Sequence, residues 1–148
     1  MRSVLAIVAI AAILVYAGIC WFLHVKQRDM LYYGWTTTVD AASTDFAVKR
    51  PDATLRGWAL NPSGSDPILY FGGNAEPVEH NREGFAQLFP GRSVYFLAYR
   101  GYGASDGAPS QAALVPDAIA FFDEVQRRHP GQKIAVIGRS LGSGVASQ

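Results

Sequence analysis

The chain opens on an unbroken apolar run. After Arg2, "SVLAIVAIAAILVYAGICWFL" fills residues 3–23, and no residue from Val4 to Leu23 is charged. As a helix rising about 1.5 Å per residue, the run spans roughly 30 Å, the thickness of a bilayer core. Trp21 stands where an interfacial anchor is expected. The pattern predicts a retained, single-pass membrane anchor over residues 1–24. Arg2 and the amino terminus on one flank nearly balance Lys26 and Arg28 on the other, so the charges set no orientation. Two alternatives stand beside the anchor. One is a cleaved signal peptide, with Val15-Tyr16-Ala17 as the cleavage site. The other, attachment of lipid at Cys20, is disfavoured by the bulky Ile19 before it. Residues 25–42 read as a juxtamembrane linker, in which Arg28, Met30 and the Tyr32–Tyr33 pair pack on the domain or lie at the headgroups.

Residues 43–148 read as one partial domain with a different rhythm. Two β-like runs, Asp45–Lys49 and Thr54–Leu60, flank the turn residues Arg50-Pro51-Asp52. A Pro/Gly/Ser loop over Asn61–Pro67 leads to a short apolar strand, Ile68–Phe71. A helix follows over roughly Val78–Phe89 and stops at Pro90-Gly91. Ser93–Tyr99 is apolar on both faces, as in a strand covered on both sides. After the Gly-rich loop Arg100–Ser110, Ser110 is a candidate cap for a helix running to about Arg128. Pro116 sits awkwardly inside it. Ile134–Gly138 is a further buried strand, with at most two helical turns after Ser140. Strands alternating with helices predict an α/β fold in which parallel strands carry helices on both faces. Ligands of such sheets bind at the carboxyl ends of the strands. Here those ends are Gly72-Gly73-Asn74, Arg100–Asp106 and Ser140.

Composition narrows the chemistry. Charge is balanced, with 13 basic and 12 acidic residues, so there is no electrostatic footprint for nucleic acid. Cys20 is the single cysteine, so the chain forms no internal disulfide. His24, His80 and His129 lack ligand-like spacing with Cys, Asp or Glu, and no metal or other cofactor is expected. His80 and His129 are expected at solvated positions.

The candidate chemistry lies in Gly138-Arg139-Ser140-Leu141-Gly142, a G-x-S-x-G entered directly from a buried strand. A serine on such a strand-to-helix turn stands clear of the sheet. Gly138 and Gly142 avoid clashes, and the Leu141 amide points at the same space. Gly72 and Gly73 let the earlier loop approach closely, and the Asn74 amide is the candidate second donor. The rival is a dinucleotide-binding oxidoreductase, in which Gly138, Gly142 and Gly144 form the cofactor loop. That reading leaves no room for the acidic ribose ligand about twenty residues on.

Residues 68–148 resemble the α/β-hydrolase superfamily. "LYFGGNAEPV", "YRGYGASDG" and "IAVIGRSLGSG" are similar, in order and spacing, to its oxyanion loop, its next strand loop and its nucleophile elbow. The membrane-anchored serine hydrolases with an abhydrolase or serine-aminopeptidase type of domain look nearest. The resemblance implies Ser140 as nucleophile of an ester, thioester or amide hydrolase, with Leu141 and Asn74 giving oxyanion amides. It implies mainly structural roles for Arg100, Gly101 and Gly103. Gly72 stands where the family often has His. The family's order is Ser, then Asp or Glu, then His, but only "LGSGVASQ" follows Ser140. The chain therefore reads as the first half of such a domain, truncated after the elbow, inactive as written, and open at its last strand. A non-catalytic membrane-anchored module stays as an alternative. The implied partners are a small acyl substrate and the membrane.

Overall fold

In a computed structural model, which describes residues 2–148, the apolar run lies within one helix, α1 (Arg2–Leu31). The helix is long and apolar enough to cross a membrane, and none of its residues is buried in protein. It continues past residue 24, where a Lys26–Asp29 pair at 3.0 Å lies along its last turns. The chain divides into two units, residues 1–31 and 32–148. The stretch read as a linker therefore has two parts. Residues 25–31 extend α1, and the rest contains two 3-10 turns, Gly34–Thr37 and Ala41–Ser43, within the second unit.

That unit is built on one sheet of five strands: β1 (Phe46–Lys49), β2 (Thr54–Leu60), β3 (Ser65–Phe71), β4 (Arg92–Leu97) and β5 (Ala135–Gly138). Their spatial order is β1-β2-β4-β3-β5. The first two strands run antiparallel to their neighbours, whereas β4, β3 and β5 are parallel. Helices α2 (Arg82–Leu88), α3 (Gln111–Arg128) and α4 (Leu141–Ala146) follow β3, β4 and β5 in turn. Alternation along the strands sends aromatic rings to both faces. On one face Tyr70 and Phe96 both pack edge-on against Phe85 of α2. On the other, Phe71 and Phe46 pack on Phe121 of α3.

Local readings need correction at Ser65 and His129, and also at the strand expected to be buried over residues 134–138: β5 lies at the sheet edge, paired with β3 alone, and Val136 is exposed. Strand β3 starts within the expected loop, at Ser65, because Ser65 pairs with Arg92. A register shift before Ile68 then lets Pro67, which has no N–H to give, enter the sheet fully buried. Pro116 stays inside α3, which begins at Gln111. Ser110 occupies the cap position without a side-chain bond, and its carbonyl accepts both Ala113 N and Leu114 N. His129 is buried, not solvated. The last turn of α3 returns it to the sheet, where its Nε2 and the Tyr95 hydroxyl lie 2.8 Å apart.

The loop after β4 is locked by charge. Arg100 is buried and makes a two-point contact with Asp117 of α3, Nε to Oδ2 at 2.8 Å and Nη2 to Oδ1 at 2.9 Å. It also holds Asp52 in the β1–β2 turn, and Arg50 reaches Asp117 at 3.1 Å. Hydrogen bonds to both carboxylates raise the already high Arg100 pKa further. The network ties the β1–β2 turn, the β4 loop and α3 together beneath the rim of the sheet. Asp117→Ala should cost about 3–5 kcal/mol in urea unfolding, because it leaves a buried guanidinium short of its partner. Asp52→Ala, which removes an exposed partner, should cost far less.

Candidate active site

The turn between β5 and α4 consists of Arg139 and Ser140. Ser140 has φ 49° and ψ −115°, a conformation that costs a non-glycine residue about 1–3 kcal/mol. Backbone bonds hold it there. Arg139 N donates to Phe71 O at 3.0 Å and Gly142 N to Arg139 O at 2.8 Å. Ser143 gives both its amide and its hydroxyl to Ser140 O, at 2.9 and 2.6 Å. The two glycines are needed for space. A Cβ at Gly142 would overlap the Phe71 carbonyl, and one at Gly138 would overlap the Gly142 carbonyl. These contacts assign Gly138 and Gly142 to the packing of α4 against the end of β3, not to the approach of a pyrophosphate. Ser140 itself is exposed. Leu141 opens α4, where the first amides have no acceptor within the helix.

The loop after β3 lies alongside. A Cβ at Gly73 would stand 3.6 Å from the Ser140 Cβ, so the two backbones are neighbours. Gly72 has no room for a side chain, because a Cβ there would overlap a methyl of Val78. The Gly72 carbonyl accepts the buried Tyr99 hydroxyl at 2.8 Å. The Asn74 side-chain oxygen accepts Tyr33 N at 3.0 Å and the Tyr102 hydroxyl at 2.6 Å. Burial is the main cause that pushes the Tyr102 phenol up to about 12. Ala75, at φ 57°, turns the chain away. The fold thus brings the predicted Gly72-Gly73-Asn74 loop to the predicted elbow. An open cleft beside Leu141 is lined by Tyr32, Leu114, Val115 and Val145.

Glu76 is the residue that sequence reading passed over. Its side chain is largely buried. Oε1 accepts from Tyr70 Oη at 2.7 Å and Asn81 Nδ2 at 2.8 Å, and pairs with Arg139 Nη1 at 3.2 Å. Oε2 accepts the Gly73 amide. Burial alone would raise the carboxyl pKa. The Gly73 amide, Tyr70, Asn81 and Arg139 outweigh it and hold the group below its ordinary range. One carboxylate therefore ties the Gly72-Gly73-Asn74 loop to the residue before Ser140. The only hint in the sequence is its position three residues after Gly73.

The histidines lie elsewhere. His80 is exposed beside Glu79. His129 closes α3, which runs back toward the amino ends of the parallel strands, opposite the rim that carries Ser140. Among the described residues, no group of three or more His, Cys, Asp or Glu is placed to hold a metal ion.

A strained serine between a half-exposed edge strand and a helix, with a glycine loop beside it, defines an α/β hydrolase. Residues 68–148 match the family described as "Serine aminopeptidase, S33", and the chain belongs to that family. An uncharacterized protein of Mycobacterium tuberculosis is 35% identical over 159 aligned residues, which cover 96% of this chain and 55% of that protein. The mouse protein named lysophosphatidylserine lipase ABHD12 is 37% identical, covering 86% of this chain and 27% of its own length. The chain thus spans about half the length of the first relative and about a quarter of the second. In three dimensions the chain is similar to an esterase of Pyrococcus furiosus, with TM-score 0.55 and 23% identity over 69% of this chain and 41% of that one. An α/β hydrolase of Vibrio vulnificus aligns with TM-score 0.58 and 23% identity over 67% and 36%.

Two substitutions probe the geometry. Ser140→Gly should raise stability by about 1 kcal/mol through relief of the positive φ, whereas Ser140→Ala should not. Thermal unfolding of both variants measures the difference. Glu76→Gln should destabilise by on the order of 1–3 kcal/mol at pH 7. Folding lowers the Glu76 pKa. The stability that the carboxylate contributes is therefore complete above the unfolded value of about 4.3 and is lost as pH falls through the folded one. The gap between wild type and Glu76→Gln should close across that acid range. Absorbance titration should also bring the Tyr70 phenol down from about 12, a value set by burial first and then by its bond to Glu76.

Proposed function

We propose that Ser140 is the nucleophile of an acyl hydrolase acting on esters, thioesters or amides. In this reading its Oγ attacks the substrate carbonyl carbon and passes its proton to a base. The carbonyl oxygen becomes an oxyanion between the amides of Leu141 and Asn74. The collapsing intermediate expels the protonated leaving group, and water then releases the acyl group from the serine. The observation that carries the proposal is the positive φ of Ser140, held at a strand-to-helix turn directly beside Gly73. Strain of this kind persists only where the surroundings over-determine it. The cleft beside Leu141, with its apolar lining of Leu114, Val115 and Val145, suits the acyl side of a substrate. The relatives' printed activities, a lipase and esterases, agree with this class.

The chemistry requires no cofactor. It does require an acid and a histidine, and the eight residues after Ser140 contain neither. Their contribution is proposed to come from outside residues 1–148. We also assign α1 the role of a single-pass anchor, with residues 43–148 as the hydrolase portion, on the strength of its length and composition.

Fluorophosphonate should label Ser140 in any form of the protein where an acid and a His follow the elbow, and Ser140→Ala should abolish the label. Label that persists in Ser140→Ala overturns the assignment. Residues 1–148 alone should hydrolyse p-nitrophenyl acetate no faster than their Ser140→Ala variant, since loss of the base costs on the order of a million-fold in a comparable triad. Robust Ser140-dependent hydrolysis by these residues would place the base among them.

A further inference from the structure

The segment that follows α1 has a polar sequence, "GWTTTVD" over residues 34–40, yet parts of it are buried. Gly34 and Thr37 are both buried, and Thr37 is 4% exposed. Tyr32 and Val39 pack against the core. Specific backbone contacts add to that packing at Gly34 and Thr37. The Thr37 hydroxyl donates to Gly34 O at 2.8 Å and accepts Gly103 N at 3.0 Å. Val39 N reaches Gly103 O at 3.4 Å. Gly34 lies so close to the β4 loop that a Cβ would overlap the Gly101 carbonyl and stand 2.8 Å from the Tyr102 ring. Tyr33 N donates to the Asn74 side chain, on the same oxygen that Tyr102 holds.

We propose that Tyr33, Gly34 and Thr37 are positioning residues for the oxyanion loop, clamping Asn74 through Tyr33 and through Tyr102. The relevance to catalysis rests on the reading of Asn74 as an oxyanion donor. The logic is one of accumulated restraint. Asn74 sits on a loop whose neighbouring residue, Ala75, is already at positive φ, and such a loop keeps one shape only when its side chains are held. The Asn74 oxygen has two donors from two separate segments, one of them the chain just beyond α1. Thr37 holds Gly103 and so fixes the loop that carries Tyr102. Gly34 sets the distance between the two. Tyr33 is two residues beyond the end of α1, a reach of about 7 Å. The segment is then part of the site, and not a spacer between anchor and enzyme.

The test uses the full chain in detergent micelles and reads amide hydrogen exchange, which does not require Ser140 to react. Thr37→Val keeps the shape of the side chain and removes the acceptor for Gly103. It should speed exchange at residues 73–75 and 103 by about tenfold or more, while Phe96 in β4 exchanges as before. Thr37→Ser, which keeps the hydroxyl, should restore slow exchange. Thr38→Val, at an exposed neighbour, should change nothing. Gly34→Val should loosen the same loop by wedging it away from Gly101. If that variant does not fold, Thr37→Val and its serine rescue decide alone. Unchanged exchange at residues 73–75 in Thr37→Val overturns the proposal, and so does an equal rise at Phe96. The fluorophosphonate experiment judges Ser140 separately, so the failure of one reading is distinct from the failure of the other.

Discussion

The site depends on one close approach, that of the α4 backbone to the end of β3. The contact has no side chain between its partners, because Gly142 presses on the Phe71 carbonyl and Gly138 presses on Gly142. That carbonyl also accepts the Arg139 amide. With both ends of the turn fixed, Ser140 has no relaxed conformation open to it and takes the positive φ. The same approach brings Gly73 next to Ser140, since Gly73 lies two residues beyond Phe71. Ser140 and the loop over residues 72–74 are therefore not placed independently. Each is a consequence of how tightly β5, α4 and β3 pack, and a methyl group at either glycine would separate them.

Two buried carboxylates stabilise this arrangement at different depths. Asp117 neutralises Arg100 below the rim and so anchors the loop that carries Tyr102. Glu76 works at the rim itself, collecting donors from β3, from the turn before α2, from Gly73 and from Arg139. A buried negative charge is costly unless its lone pairs are engaged. Four donors engage it here, and its charge is turned toward the loop backbone and Arg139. The preference of these contacts for the ionised form explains why the carboxyl pKa falls despite burial.

Much of this was legible in the sequence because it is local. The strand–helix alternation, the elbow glycines and the Gly72-Gly73-Asn74 loop all follow from spacing over a few residues. The elements that were misread depend on distant partners. His129 looked like a solvated residue at a helix end, but the turn delivers it to Tyr95, 34 positions earlier. Ser65 looked like loop until Arg92 became its pairing partner across the parallel strands. Pro116 sits inside α3 as expected, and the helix absorbs one missing bond because Leu114, Phe121 and Val125 bury its face. Residues 33–39 carry no periodicity at all. Their role comes from single hydrogen bonds to positions 74 and 103, which no local pattern encodes.

The division of labour along the chain has a physical basis. Oxyanion stabilisation needs rigid backbone amides, and those come from tight turns at the ends of parallel strands, which β3, β5 and their helices can build without help. Proton transfer needs an imidazole with its own orienting carboxylate. No imidazole among the described residues is sited near Ser140, and the carboxylate that is near, Glu76, orients none. His129 is committed to Tyr95 on the opposite edge, and the well-held carboxylates Asp117 and Glu76 are occupied with arginines and amides. Pre-organised electrostatics and acid–base chemistry are thus separable parts of this fold. Around Ser140 the strain, the glycines and the supporting charges all lie within contact of one another.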